Sequence, residues 1–311
     1  MEKNRYNHLN SYLKDKFGSR TLKVCIDGGF TCPNRDGTVA TGGCIFCGSM
    51  GAGDLIKYRT DMVLKSIESQ VTGFLGSYRG ERAEKFIAYF QSFTNTYDTV
   101  ENLKLKYDTA LSASDKFVGL EVATRPDCIN EDIVKLLASY KDKYFVCVEL
   151  GLQTANDYIG RVVNRGYTTS DFVAAVKLLK KYDIDVVAHI MIGLPGETER
   201  DIADTIDIVN KTAVDGVKIH STFVMKDTGL EEMLNMGEYA AIEREYYVDM
   251  VAKIISNLNS NIIIHRITAD PPKEKLVCPE WTTRKKIVMN SINSRLDQLD
   301  IYQGDKKYNF N

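Results

Sequence analysis

The chain has 311 residues, of which 44% are hydrophobic and 26% are charged, and its formal net charge is −2. Seven cysteines, an odd number, cannot form a complete disulfide framework. No apolar run approaches the roughly 18 residues of a membrane span and the start MEKNRYNHLN is not a signal segment, so we expect a cytoplasmic protein that is not attached to a membrane.

A basic segment, residues 1–20, precedes the first predicted strand. Residues 1–23 contain six Lys/Arg against two Asp/Glu, residues 266–311 contain nine against six, and the acidic middle contains 25 against 34. Basic ends can attract a phosphate backbone, although short terminal excesses of charge are also common on solvated surfaces. Both interpretations of the ends stay open.

Three cysteines follow the first predicted strand, TLKVCI, in the Gly-rich run FTCPNRDGTVATGGCIFC. Cys44 and Cys47 are separated by two residues, and Cys32 lies before them with eleven residues between. Thiolates select iron–sulfur clusters or zinc, and three ligands leave one iron with an open position. Cys25 could complete a closed zinc site, but its strand pattern favours a small packing residue.

The rest of the chain alternates predicted helices and strands. The strands are continuous apolar runs, which are typical of a parallel sheet covered by helices on both faces. The helices are predicted at 61–76, 99–113, 131–140, 171–182, 199–213 and 239–258, and the strands at 85–90, 116–123, 144–152, 184–192, 216–220 and 261–266. Single cysteines at 128, 147 and 278 are interpreted as packing residues.

Six strand–helix units predict an α/β fold with an incomplete parallel (β/α)6 barrel at 21–265. We expect residues 266–311 to form a C-terminal extension that packs on the barrel. An open doubly wound sheet is the alternative, and in both folds the function belongs to the carboxyl ends of the strands. Polar motifs follow four strands there: QSFTNTY, ATRPD, GLQTAND and GLPGET.

These ordered motifs resemble the radical S-adenosylmethionine (SAM) superfamily over roughly residues 20–265. The resemblance implies that Cys32, Cys44 and Cys47 bind a 4Fe–4S cluster, and that electron transfer to SAM yields a deoxyadenosyl radical. The long first cysteine interval and the stretches ATRPD, ELGLQT, NRGY, HIMIGLPGET and KIHSTFVMKDTGL are similar to the branch of the elongator catalytic subunit. The CPNRDGT and CPEW runs look like compact bacterial members of that branch, which are associated with tRNA wobble uridine.

The resemblance also implies a set of cofactor contacts at successive strand ends. Gln91 and Ser92 replace two glycines that the family has in its second-strand motif, which puts the geometry of that turn in doubt. Glu121 is expected to end the third strand near the amino or carboxylate group of SAM. The full predicted set is Phe46, Gln91, Ser92, Thr94, Glu121, Gln153, Arg165, His189 and Met191.

Other residues have less specific assignments. Gln153 and His189 are expected near ribose, Met191 near adenine, and Arg165 on a carboxylate. His220 and Tyr97 are candidates for substrate contact or proton transfer.

Two further residues have an ordinary alternative. Glu197 either shapes the fifth-strand turn or merely opens a helix. Trp281 either stacks on a base or packs as an anchor.

The expected function is modification of the C5 side chain of tRNA wobble uridine, for example conversion of carboxymethylaminomethyl to aminomethyl. The expected partners are tRNA, an electron donor such as flavodoxin or ferredoxin, and a methyltransferase that acts on the product. One alternative keeps the radical chemistry with a small-molecule or tetrapyrrole substrate. Another is a zinc-bearing RNA-binding protein without radical chemistry.

Overall fold

The computed structural model describes residues 4–51 and 56–310. Seven strands form one parallel sheet, and two short strands form a separate antiparallel pair. The strands are β1 Thr21–Ile26, β2 Lys85–Phe90, β3 Phe117–Thr124, β4 Phe145–Gln153, β5 Asp185–Ile192, β6 Gly216–Ser221, β7 Val224–Met225, β8 Ile263–Arg266 and β9 Leu276–Cys278.

Helices connect the strands of the parallel sheet. In chain order they are α1 Leu9–Phe17, α2 Val63–Leu75, α3 Val100–Ser112, α4 Glu131–Ala138, α5 Asp157–Val162, α6 Thr169–Lys181, α7 Glu199–Lys211, α8 Gly229–Asn235, α9 Arg244–Asn257 and α10 Lys285–Gln298. No helix among the described residues is long and apolar enough to span a membrane.

The strand order β1-β2-β3-β4-β5-β6-β8 follows the sequence without a reversal. A doubly wound sheet reverses its strand order at a switch point, so that alternative is wrong. The sheet is strongly curled, because Lys23 Nζ on one edge strand lies 3.4 Å from His265 Nδ1 on the other. The predicted incomplete α/β barrel is confirmed, with β8 as a seventh strand after the six units.

Alternate residues of each strand face opposite sides of the sheet. Val24, Ile26, Leu120 and Val148 face the helices and are fully buried in the main hydrophobic core. The intervening residues face the concave side, which we call the lumen, and several of them are charged. The apolar runs therefore produce the core on one face only, while the lumen is polar.

Side-chain caps explain where several helices begin. Asn130 Oδ1 accepts from Ile133 N at 3.0 Å, as its position before α4 predicts. Thr168 and Thr198 each form a capping box with an aspartate three residues later, which starts α6 and α7. These caps fix the turns that lead from the strand ends into the helices.

The C-terminal extension is more ordered than a polar tail. It contains β9 and α10, and α10 buries Val288, Ile292 and Leu296 against the core beside α9. Sequence analysis missed α1, α5, α8 and α10, since each has few apolar residues or is short. The sheet begins at Thr21 and ends at Arg266, one residue beyond the predicted limit of the barrel.

The cysteines outside the predicted cluster differ in burial. Cys147 is buried, and Cys128 and Cys278 are half-buried. The expectation that Cys25 is a semi-buried packing residue is wrong, because it is exposed and lies on the lumen face of β1. A lumen that is not filled by apolar side chains leaves this inward position open to solvent.

Candidate functional site

The three-cysteine loop is folded by its own backbone hydrogen bonds. Arg35 N donates to Cys32 O at 2.8 Å, Gly43 N donates to Asn34 O at 2.8 Å, and Cys47 N donates to Cys44 O at 2.9 Å. These bonds bring the start and the end of the long interval together. The interval of eleven residues between Cys32 and Cys44 is thus compatible with one site for all three thiols.

The NRGY stretch at 164–167 braces this loop. Asn164 Nδ2 donates to Gly43 O at 2.7 Å, and Asn34 Nδ2 donates to Asn164 O at 2.5 Å. Gly166 has φ +80°, and a Cβ there would lie 2.6 Å from Asn34 Oδ1. A glycine is needed at this position for both conformation and space.

The electrostatic surroundings of the thiols include a cation that sequence analysis did not assign. Burial, with smaller contributions from the neighbouring Cys47 and Cys32, raises the pKa of Cys44 to about 12, although Arg125 opposes the shift. Asn34 Nδ2 also donates to Cys44 Sγ at 3.7 Å. A bound metal would favour loss of the Cys44 proton, and Arg125 and Asn34 would stabilise the resulting thiolate.

The turn after β2 resolves the doubt about the two missing glycines. The positive φ in this turn, +60°, is at Phe93 and not at Gln91 or Ser92. Ser92 is completely buried and its Oγ has no hydrogen-bond partner, while Thr94 N donates to Thr31 O at 3.2 Å. The turn forms without glycine at 91 or 92 and presents an unpaired hydroxyl.

Gln153 ends β4 with φ +57°, and its Oε1 accepts from Tyr167 OH at 2.8 Å. Arg165 is fully buried and donates to the carbonyls of Leu152, Thr154 and Tyr167 at 2.6, 2.7 and 3.0 Å.

A fourth N–H of Arg165 donates to Asp157 Oδ1 at 2.7 Å. We therefore correct the assignment of Arg165: its guanidinium holds the backbone after β4 and is not presented to a ligand.

Glu197 does more than open α7. Its Oε2 accepts from Gly193 N at 2.7 Å and so closes the fifth-strand turn, while its Oε1 is buried without a partner. Burial raises the pKa of Glu197 to about 8 despite this backbone hydrogen bond. Met191 and Phe46 both contact a small apolar cluster of Ile159, Val163 and Leu194 beneath this turn.

A group of ionisable side chains fills the middle of the lumen. We call it the lumen charge cluster, and it consists of Lys23, Tyr89, Glu121, Glu149, His189, Lys218 and His265.

Lys23 Nζ lies 2.5 Å from Glu121 Oε1 and 3.1 Å from Glu149 Oε1. Glu149 Oε2 accepts from Lys218 Nζ at 2.5 Å, lies 2.8 Å from His189 Nε2, and also accepts from Tyr89 OH.

The prediction that Glu121 ends the third strand is wrong, since β3 continues to Thr124 and Glu121 pairs with Lys23. The two carboxyl groups of the cluster differ in charge. Burial alone would raise the pKa of Glu149, but Lys218 and Lys23 hold it well below its usual range. Burial raises the pKa of Glu121 to about 8 with a further contribution from Glu149, although Lys23 and, less strongly, Lys218 oppose the shift.

His220 ends the lumen face of β6 near His189, with their ring centroids 5.2 Å apart. Burial and the nearby His189 lower its pKa well below the usual value, so the ring is neutral, and its Nε2 has no partner. Tyr97 is elsewhere: its OH is 2.8 Å from Thr38 Oγ1 in the cysteine loop. His220 faces the lumen as expected, whereas Tyr97 anchors the loop.

The C-terminal extension presents an exposed basic group after Trp281. Trp281 itself packs on Tyr247 at 5.3 Å and donates from Nε1 to Ile242 O at 3.1 Å, which favours the anchor role. Arg284 and Lys285 are exposed and form ion pairs with Glu280 and Asp270 at 2.5 and 2.8 Å.

Sequence analysis missed several residues that the fold brings to the site or the lumen. A signal for five of them was present: four lie in motifs that were already noted, and one is a charge inside an apolar strand. They are Asn34, Arg125, Glu149, Lys218 and Lys23.

Two family models match the chain. The model described as Radical SAM superfamily matches residues 37–209, and the Radical_SAM C-terminal domain matches residues 214–298. Cys32 lies before the first match, while Cys44 and Cys47 lie within it.

Among curated proteins, the chain is 38% identical over 300 residues to the uncharacterized protein YtqA of Bacillus subtilis, covering 96% of this chain and 92% of that one. It is 33% identical to protein YhcC of Escherichia coli, covering 94% and 92%. It is 32% identical to Elongator complex protein 3 of Drosophila melanogaster, covering 50% of this chain and 28% of that one.

Solved structures show the same fold at low sequence identity. The archaeal Methanocaldococcus infernus Elp3 with an N-terminal deletion has a TM-score of 0.65 at 19% identity, and the match covers 88% of this chain and 63% of that one. Methylornithine synthase (PylB) has a TM-score of 0.54 at 13% identity, covering 93% and 85%.

Proposed function

Because the chain belongs to the radical SAM superfamily, we propose that it is an enzyme that modifies the C5 side chain of wobble uridine in tRNA. Its cofactors are those of the superfamily, a 4Fe–4S cluster and SAM. The site that would use them lies at the carboxyl ends of the strands, around Cys32, Cys44 and Cys47.

When bound, the cluster and SAM together supply a deoxyadenosyl radical that can remove a hydrogen atom from a substrate. The residues present fit these cofactors. The three cysteines lie on one loop, which is held by Asn34 and Asn164. These thiols would hold the cluster.

Unpaired buried polar atoms at the carboxyl ends of β2, β5 and β6 also fit a polar cofactor. Buried polar atoms are normally hydrogen-bonded, so a group of unpaired ones at one edge fits the binding site of a polar ligand. They belong to Ser92 Oγ, Glu197 Oε1, His220 Nε2, Ser221 Oγ and Thr222 Oγ1. Ser92 and Thr94 are suited to a contact with the amino acid part of SAM, and Gln153 to a contact with its ribose.

The observation that carries the proposal is the docking of NRGY and ATRPD on the cysteine loop. These motifs are the ones that resemble the elongator branch. Here Asn164 donates to the carbonyl of Gly43, which directly precedes Cys44, and the charge of Arg125 lowers the pKa of Cys44. Similarity to Elongator complex protein 3 over half of the chain supports the same substrate class. The specific reaction that we propose is removal of the carboxymethyl group from carboxymethylaminomethyluridine.

The proposal includes partners and a compartment. We propose flavodoxin or ferredoxin as the electron donor, because the cluster needs a low-potential one-electron source, and a methyltransferase as the consumer of an aminomethyl product. A cytoplasmic location fits an oxygen-labile cluster, which needs reducing surroundings.

The first experiment is anaerobic reconstitution with iron and sulfide of the wild type, Cys44→Ala and Cys278→Ala. Cys278 is a matched control, because it is also half-buried but lies in β9 outside the loop. Iron content is measured first, and then deoxyadenosine after reduction with SAM. We expect both to be lost in Cys44→Ala and retained in Cys278→Ala.

The substrate is tested with tRNA that contains carboxymethylaminomethyluridine, followed by nucleoside analysis. Appearance of aminomethyluridine supports the proposal. Deoxyadenosine formation without any change in the tRNA would leave the radical enzyme intact and reject wobble uridine as the substrate.

A further inference from the structure

The side chains of the lumen charge cluster differ in their exposure to solvent. The side chain of His189 is 23% exposed, that of Lys218 is 10% exposed, and that of Glu149 is 0% exposed. Cys25 on the lumen face of β1 is also exposed, and Lys218 is close enough to influence its thiol. A group entering from the carboxyl edge would therefore pass His189 and meet Lys218 before it reached Glu149.

Lys218 has donor capacity to spare at this position. Its ammonium group has three N–H bonds and donates to Glu149 Oε2 at 2.5 Å and Tyr89 OH at 3.0 Å. Next along the lumen face of β6 is His220, whose neutral ring has an unpartnered Nε2. One ammonium N–H and one imidazole nitrogen are thus available side by side.

The charges around Lys218 favour a single negative charge. The lumen charge cluster contains two ammonium groups and two carboxyl groups, but Glu121 has only one cationic partner and its Oε2 has none. Its raised pKa of about 8 means that Glu121 is mostly protonated at neutral pH. Glu149 then balances one of the two lysines, and an anion beside Lys218 would also offset the burial that lowers the pKa of its ammonium group.

We propose that Lys218 binds the carboxylate of the substrate side chain at the open end of the lumen, with His220 beside it. A buried unpaired charge is costly, and a monoanion that fills the site removes that cost. This inference rests on the proposed function and adds a basis for substrate selection: the side chain must end in a carboxylate. Lys23 stays deeper, between Glu121 and Glu149, and serves only to hold them.

The test compares two anticodon stem-loops, one with carboxymethylaminomethyluridine and one with the corresponding neutral carboxamide. We expect the wild type to show a KM for the carboxylate RNA that is roughly 10- to 100-fold lower than for the amide, the range of a charge-assisted hydrogen bond. Lys218→Met abolishes this preference. Lys218→Gln abolishes the preference too. Because glutamine retains a hydrogen-bond donor for Glu149, this variant controls for misfolding of Lys218→Met.

Lys253→Met is the matched control. Lys253 is another buried lysine, paired with Glu199 at 2.7 Å on the helical side of the sheet, so its loss tests general destabilisation. It retains the preference for the carboxylate RNA. If the Lys218 variants also retain it, the inference is wrong while the proposed function stands.

Two further measurements distinguish this inference from binding of a different carboxylate and from failure of the proposed function. If Lys218→Met weakens the binding of SAM instead, the bound carboxylate is that of the cofactor and the inference is wrong. If the wild type modifies neither RNA, thermal unfolding in acetate and in chloride at equal ionic strength decides. Stabilisation by acetate in the wild type and not in Lys218→Met supports the anion site without wobble uridine, and equal behaviour rejects it.

Discussion

Arg165 and Glu197 show how an ionisable residue near a strand end can support the backbone of a site. Arg165 donates to the carbonyls of Leu152, Thr154 and Tyr167, and Glu197 accepts from Gly193 N. Each replaces hydrogen bonds that irregular backbone cannot make within itself. Substitution of either residue should therefore lower the free energy of unfolding as its first effect.

Arg165→Lys should lower the free energy of unfolding by about 3 kcal/mol, because an ammonium group cannot reach all four acceptors of the guanidinium fork. Arg161→Lys, on the exposed side of α5, should change it by no more than about 0.5 kcal/mol. Urea unfolding of the cluster-free proteins measures both. A stable Arg165→Lys chain that has lost only SAM affinity would restore the original assignment.

Glu197→Gln should change how stability depends on pH. The pKa of Glu197 is raised in the folded state, so the unfolded chain loses this proton at lower pH, and stability falls as pH rises from about 4.5 towards 8. This single group can contribute at most about 1.4 kcal/mol per pH unit. Between pH 5.5 and 7.5 the wild type should thus lose roughly 2 kcal/mol more than Glu197→Gln.

Asp201→Asn provides the control for Glu197. Asp201 is in the capping box of the same helix, and hydrogen bonds from Thr198 and Asn156 hold its pKa below the usual value despite partial burial. Its contribution is constant between pH 5.5 and 7.5. Parallel pH profiles for the wild type and Glu197→Gln would show that the Glu197 carboxyl group is ionised in the fold.

At the scale of elements, the cysteine loop depends on a second segment of chain. The loop is about 120 residues away from NRGY in sequence, yet Asn164 donates to its Gly43 and Thr41 carbonyls at 2.7 and 3.3 Å. Gly166 gives Asn34 the room to complete this contact. The loop and the turn after β4 thus form one unit around the thiols.

Gly166→Ala should reduce the iron bound per chain by half or more after reconstitution, because the new Cβ displaces Asn34 from Cys44. Gly237→Ala is the control: its φ of +75° gives the same backbone strain, but a Cβ there meets nothing within 4 Å. Both should cost about 1 kcal/mol in stability, and only Gly166→Ala should lose iron. Equal iron contents would show that Asn34 does not support the site.

Elements were predictable wherever the apolar pattern was strong. β3, β4 and β5 alternate with helices whose caps, such as Asn130, are visible in the sequence. The polar helix α10 was not predicted, because only its position against α9 decides that Val288 and Ile292 are buried. The positive φ of Phe93 was likewise invisible, since turn geometry after β2 depends on the loop that it meets.

At the scale of the whole molecule, charge is divided between an acidic body and basic ends. The N-terminal segment packs at the edge of the sheet, where His8 forms an isolated parallel β-bridge with Ile264. Arg5 in the same segment forms an ion pair with Asp297 of α10 at 2.5 Å. The two basic ends therefore meet on the same side of the molecule. Two basic excesses on one side attract a phosphate backbone more strongly than either short excess alone.

Charge reversal at Arg284, Lys285 and Lys286 should weaken tRNA binding by about tenfold or more at 0.1 M salt and reduce the salt slope by about three, if each contacts one phosphate. The control reverses Lys116, Lys141 and Lys143, which are exposed and precede strands at the amino edge of the sheet. Filter binding over a salt series measures both. Unchanged affinity in the first triple would exclude this face as the tRNA contact.

The sequence by itself determined the strand–helix alternation, the three thiols and the edge at which function lies, since these follow from local periodicity and spacing. Only the tertiary structure decided which charges meet. Lys23, Glu121, Glu149 and Lys218 come from four strands, and the curl of the sheet alone brings them within hydrogen-bond distance. The energy of an ion pair depends on the distance between its charges and on their burial. No local sequence pattern encodes either quantity.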